Sequence, residues 1–146
     1  MIRTDKRIRL CTALLICNLI FIWGNSLLPG EISAAFSDWV KELLAKIFAG
    51  DPTESSGRGL LRKLAHFTEF LGLGMCLAWL HGMLGKGKIR PFFWGVLAAA
   101  ADETIQCFVP GRGPRITDVL LDSAGVACGM AVLLLCLTIY EKKKKL

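Results

Sequence analysis

Apolar residues concentrate in four long runs, about 10–28, 60–80, 91–109 and 116–140. Each is close to the ~20 residues that a helix needs to cross the hydrocarbon of a bilayer. A different pattern separates the first two runs. Ile32, Phe36, Val40, Leu43, Leu44, Ile47 and Phe48 recur at helical spacing, with Ser37, Asp38, Lys41, Glu42 and Lys46 between them. That periodicity predicts an amphipathic helix over 31–50 that lies in the outer interface or caps a bundle. Pro29 and Gly30 start it and Gly50 ends it. The polar, Gly- and Ser-containing stretch 51–59 reads as a mobile external loop. No internal repeat stands out, and the lysine tail is the one low-complexity tract. The expected fold is all-α: a polytopic membrane protein, a bundle of four transmembrane helices plus one external amphipathic helix, in a single domain over residues 1–146.

Composition strengthens this picture. Hydrophobic residues make up 53% of the 146 positions, and the mean hydropathy is +0.50. Both exceed a soluble composition and call for a solvent other than water. The net charge of +6 does not point to nucleic acid, because the charges fall in short runs between apolar segments. Arg3, Lys6, Arg7 and Arg9, the loop with Lys86, Lys88 and Arg90, and the tail Lys142 to Lys145 fall on one side of a four-span chain. Short loops rich in Lys and Arg resist translocation, so that side is expected to be the cytoplasm, both termini included. The acids agree. Apart from Asp5 and Glu141 they lie outside or in the outer half.

The first run follows basic residues as a signal peptide does, but no small-x-small cleavage site appears near residues 23–28, so it reads as a helix. Cys11, Cys17, Cys76, Cys107, Cys128 and Cys136 have no paired metal-ligand spacing and read as small core residues. His81 and Tyr140 sit at cytoplasmic ends and read as interfacial anchors.

Ionisable side chains inside hydrocarbon cost a few kcal/mol each, so those present should face protein or water. Their helical phases agree. At about 100° per residue, Arg62, His66 and Glu69 fall within roughly 60° of one another, with Lys63 beside them. Asp102, Glu103 and Gln106 share one arc of the third run. Arg115, Asp118, Asp122, Gly125 and Gly129 share one of the fourth, polar outside and glycine-lined further in. One reading is a set of buried ion pairs, Lys63, Arg112 and Arg115 with Glu69, Asp102, Glu103, Asp118 and Asp122, that holds the bundle together. The other is a functional polar pocket. A metal is the sharper version of the second, with His66 and Glu69 at i, i+3 and the remaining carboxylates completing an oxygen-rich shell. The neighbouring cations suit an anion such as a phosphate or carboxylate better, so no cofactor is assigned and a divalent metal stays open.

Three motifs, Lys63-x-x-His66-Phe67-x-Glu69-Phe70, Asp102-Glu103-x-x-Gln106-x-Phe108-Val109-Pro110-Gly111-Arg112, and Asp118-x-x-x-Asp122-x-x-Gly125-x-x-x-Gly129, together resemble the VanZ-like family of bacterial membrane proteins. The resemblance covers about residues 62–129, and Asn25-Ser26 with Pro29-Gly30 looks like the family's first-helix ending. It implies a cell-envelope protein of the kind linked to teicoplanin (glycopeptide antibiotic) resistance. Many members carry Asn where this chain has Asp122, so the extra carboxylate makes this pocket more acidic.

The expected function is binding or modification of an anionic, lipid-linked cell-wall component at the outer face. His66, Glu69, Asp102 and Glu103 are the candidates for acid-base work, with Glu69 orienting His66. Lys63, Arg112 and Arg115 would hold the anion, and Gln106, Asp118 and Asp122 complete the substrate-binding set. Whether the protein is an enzyme stays open. A small proton-coupled transporter is an alternative, although the first helix has no ionisable residue between Cys11 and Leu28. A non-enzymatic partner subunit of another envelope protein, docking through the amphipathic helix, is a third. The expected partners are the lipid bilayer and such a cell-wall intermediate or envelope protein, with no nucleic acid. Nucleotide loops, serine elbows and zinc-protease motifs are absent from the sequence.

Overall fold

The computed structural model describes residues 2–48 and 57–144, and its regular elements are all α-helical. They are α1 (Ile2–Ser26), α2 (Gly30–Phe48), α3 (Gly57–Met83), α4 (Arg90–Gln106) and α5 (Ile116–Lys144). Four helices follow the apolar runs and α2 follows the amphipathic stretch. The ends differ for local reasons. The helix α1 begins at Ile2 rather than near residue 10, because Arg and Lys are good helix formers and no Pro or Gly precedes Gly24. The start of α3 at Gly57 turns the end of the expected external loop into helix, and the rest of that loop and Gly50 lie outside the described residues. The helix α4 stops at Gln106 instead of running to 109. Pro110 has no N–H and disfavours helical geometry at Val109, so the chain turns. Val109 N donates to Gln106 O at 3.2 Å, and Gly111 takes a left-handed φ of 73° that a side chain would strain.

The helix α3 is the hub, packing against α1, α2, α4 and most extensively α5. Gly125 and Gly129 explain that closeness. A Cβ on either would strike the main chain of α3, at Phe67 O and Leu71 O respectively. Phe67 and Leu71 are one turn apart, as are their glycine partners, so α3 and α5 run parallel with their backbones in contact. Around this pair Ile22 of α1, Phe70, Leu73 and Leu77 of α3, Ala98 and Ala99 of α4 and Val126 of α5 form the core.

The outside of the bundle is as apolar as its inside. Ile20 and Phe21 on α1, Phe93, Trp94 and Leu97 on α4, and Leu120 and Leu135 on α5 are each more than half exposed. The helices α1 and α5 are long and apolar enough to cross a membrane, and most of each is exposed, unlike the core helix of a soluble protein. At 17 residues α4 spans about 25 Å, and α3 carries Arg62, Lys63, His66 and Glu69.

Two small readings change. Cys11 is buried and Cys76 half-buried, but Cys17, Cys107, Cys128 and Cys136 are exposed, all six as free thiols. A helix that is apolar all round does not mark which face is the core. His81 is buried rather than reaching outward as an anchor, and its Nδ1 lies 2.9 Å from Leu77 O one turn back. Tyr140 is exposed.

Candidate functional site

The C-terminal ends of α1 and α4 meet the N-terminal ends of α3 and α5, and charged side chains close two of these ends. Arg112 donates through Nη2 to Asn25 O at 2.9 Å and through Nε to Leu28 O at 3.1 Å. A guanidinium suits the carbonyl end of α1, where acceptors lack helical partners and the dipole is negative. Burial, and then the nearby Arg62, pull Arg112 below its ordinary pKa, while Asp102, Glu103 and Glu69 oppose the shift. Glu103 does the converse for α5. Its Oε2 accepts the Arg115 N–H at 2.9 Å, placing a carboxylate where the helix dipole is positive. Gly30 N donates to Pro110 O at 3.1 Å, which draws the start of α2 to the same end.

Beneath these closures lies a buried polar layer. Asp102 and Asp122 have no exposed surface and Gln106 almost none. Gln106 Nε2 donates to Asp102 Oδ2 at 2.9 Å and to Ser26 Oγ at 3.3 Å, so the end of α1 reaches the layer too. His66 Nδ1 lies 3.8 Å from Asp102 Oδ2. Asn25 Nδ2 donates to Glu69 Oε1 at 2.9 Å. Several atoms have no hydrogen-bond partner: both oxygens of Asp122, Asp102 Oδ1, His66 Nδ1 and Glu69 Oε2. Buried polar atoms are almost always paired, so this concentration of orphans at one place calls for an explanation. One ligating atom from each of His66, Asp102 and Asp122 lies within 4.8 Å of the others.

A cavity of about 250 Å³ opens at the same end between α2, α3 and α5, lined by Arg62, Lys63, Arg115 and Asp118 with Ser33 and Ser37 of α2. Arg62 pairs with Asp118 at 3.6 Å. His66 follows Arg62, and Asp122 follows Asp118, by four residues. The buried layer is therefore about one helical turn, roughly 6 Å, below the cavity.

The residues singled out in the sequence divide by location. His66, Asp102, Gln106 and Asp122 share the buried layer with Glu69 at its edge, and Lys63, Arg115 and Asp118 line the cavity. The structure adds to two expected roles. Glu69 Oε1 accepts from Asn25 Nδ2 and its Oε2 has no partner, so no bond to His66 orients the ring. Arg112 directs Nη2 and Nε at the carbonyls of Asn25 and Leu28, at and just past the end of α1. Asn25 and Ser26 were missed as participants, although two polar residues ending an otherwise apolar run were a usable signal. Arg62 had the right phase but no assigned role.

A wholly helical bundle with a hydrocarbon-like exterior and polar groups gathered at one end is that of a membrane protein. The VanZ/LLP1 family model matches residues 11–137, and the chain belongs to that family. No curated protein and no solved structure matches it.

Proposed function

We propose that this chain is a four-span protein of the bacterial plasma membrane, a single domain with both termini cytoplasmic, that binds an anionic, lipid-linked cell-wall component from the outer side and thereby contributes to teicoplanin-type resistance. The observation that carries the reading is the cavity in which Arg62, Lys63 and Arg115 converge. Two cations on α3 and one just ahead of α5, with serine hydroxyls opposite, make a receptor for phosphate oxygens. Basic-residue asymmetry puts this end on the outer side, at headgroup depth, where the phosphate of a lipid carrier lies. The exposed apolar faces of α4, Phe93, Trp94 and Leu97, support a lipid-facing position for that helix as well. Its 17 residues fit a locally thin or deformed bilayer. Arg112, whose Nη2 and Nε bond the end of the first helix, does not line the cavity.

The experiment is binding of a short-chain polyprenyl diphosphate to the purified full chain in detergent. Each basic residue near an anionic headgroup is worth about 1 kcal/mol, so Lys63→Ala with Arg115→Ala is expected to weaken binding about 30-fold. The same double variant, at unchanged membrane abundance, is expected to lose teicoplanin protection. Equal affinity in wild type and double variant would reject the cavity as the binding site.

A further inference from the structure

We propose that His66 of α3, Asp102 of α4 and Asp122 of α5 form a binding site for one divalent first-row transition-metal cation, of the zinc or manganese kind, inside the bundle. Geometry comes first. One ligating atom from each residue already lies within 4.8 Å of the other two. Donors around a tetrahedral ion with bonds of about 2.1 Å are about 3.4 Å apart, so modest side-chain rotation closes the gap. The three helices supply one ligand each, and the main-chain contact of α3 with α5 at Gly125 and Gly129 fixes two of them relative to each other.

Charge is the second argument. Asp102 and Asp122 are fully buried, and three of their four oxygens have no donor. Two such carboxylates side by side are costly in an apolar interior unless a cation is shared between them. The nearest arginines are committed elsewhere, Arg112 to the carbonyls of Asn25 and Leu28 and Arg62 to Asp118. A dication cancels both charges at once and takes up the unpartnered Nδ1 of His66.

Donor chemistry narrows the ion. One imidazole nitrogen with carboxylate oxygens suits zinc, manganese or iron better than magnesium or calcium, which favour all-oxygen shells. The surroundings fit a ligand role as well. Gln106 Nε2 holds Asp102 Oδ2, the oxygen that lies 3.8 Å from His66 Nδ1, which sets the plane of the carboxylate as outer-shell donors do around metals. Glu69 Oε2, also without a donor, is the next available oxygen. The site is separate from the cationic cavity one turn above it, and metal binding stands whether or not that cavity takes an anion.

The test is the metal content of the full chain, purified in detergent and incubated with Zn²⁺ or Mn²⁺ before removal of free ions. About one bound ion per chain is expected. Asp122→Asn and His66→Gln, with helicity checked by circular dichroism, are expected to lower occupancy about tenfold or more. Stripping the wild-type protein with a chelator should lower its thermal midpoint, and Zn²⁺ or Mn²⁺ should restore it without moving the midpoint of Asp122→Asn. A wild-type protein that holds neither ion and whose midpoint ignores both would overturn the proposal, even if the variants fail to fold. Equal metal content in wild type and Asp122→Asn would overturn it too.

Discussion

Arg112 Nη2 donates to Asn25 O across 87 positions of sequence, so the connection between α4 and α5 holds the end of the first helix. A hydrogen bond from a charged donor contributes about 1.5–3 kcal/mol when well formed, and partial exposure reduces that here. Arg112→Gln is expected to cost on the order of 2 kcal/mol, seen as a lower thermal midpoint in detergent. Arg112→Lys should recover only part, since an ammonium does not reproduce the fork that meets two carbonyls. An unchanged midpoint in Arg112→Gln would show that the bond closes no helix end of consequence.

The contact of α3 with α5 predicts a contrast between glycines. Gly129→Val drives a side chain into Leu71 O and is expected to cost about 3 kcal/mol or to abolish folding. Gly24 on α1 has nothing near its Cβ position, so Gly24→Ala should be neutral or stabilising by about 0.5–1 kcal/mol. Unfolding midpoints of the two variants measured side by side check the difference. Similar effects would count against the close backbone approach.

Asp102→Asn and Glu103→Gln keep side-chain volume while removing one charge each. Both are expected to abolish the resistance phenotype with membrane-inserted protein at near-normal levels. Quantifying protein in membranes beside teicoplanin susceptibility separates the cases. Parallel loss of protein and protection would mean that these carboxylates serve only to hold the bundle together, which costs about 3–5 kcal/mol when one partner of a buried pair is removed.

The proposed topology predicts which thiols a membrane-impermeant reagent reaches. In a background with the six native cysteines replaced, Ser56→Cys should label in intact cells and Lys88→Cys only after permeabilisation. The reverse pattern would invert the orientation, and with it the side from which the cavity opens.

Much of this architecture was legible in the sequence because helical phase and apolar length are local properties. The five helices and the inward direction of His66, Asp102, Gln106 and Asp122 follow from spacing alone. Partners do not. Chain position puts Glu103 and Arg112 near the same end as the rest, yet one closes the start of α5 and the other the end of α1, because only the folded chain shows which backbone groups are left unpaired nearby. Asn25 and Ser26 escaped for the same reason, since their hydrogen bonds reach 44 and 80 positions along the chain. The stop of α4 at Gln106, by contrast, is a local property that Pro110 encodes against an apolar run that continues to Val109.

The backbone contact between α3 and α5 sorts the buried layer into two sides of a seam. His66 and Asp122 travel on one rigid body, as do Arg62 and Asp118 above them, whereas Asp102 belongs to α4, which meets that body through softer side-chain packing at Val126 and Gly95. Whatever bonds to both sides latches the seam shut, and whatever loosens it parts Asp102 from its two companions while leaving the cationic mouth intact. Occupancy in the depths therefore decides how firmly α4 is fastened to the pair, while the mouth keeps its shape in either case.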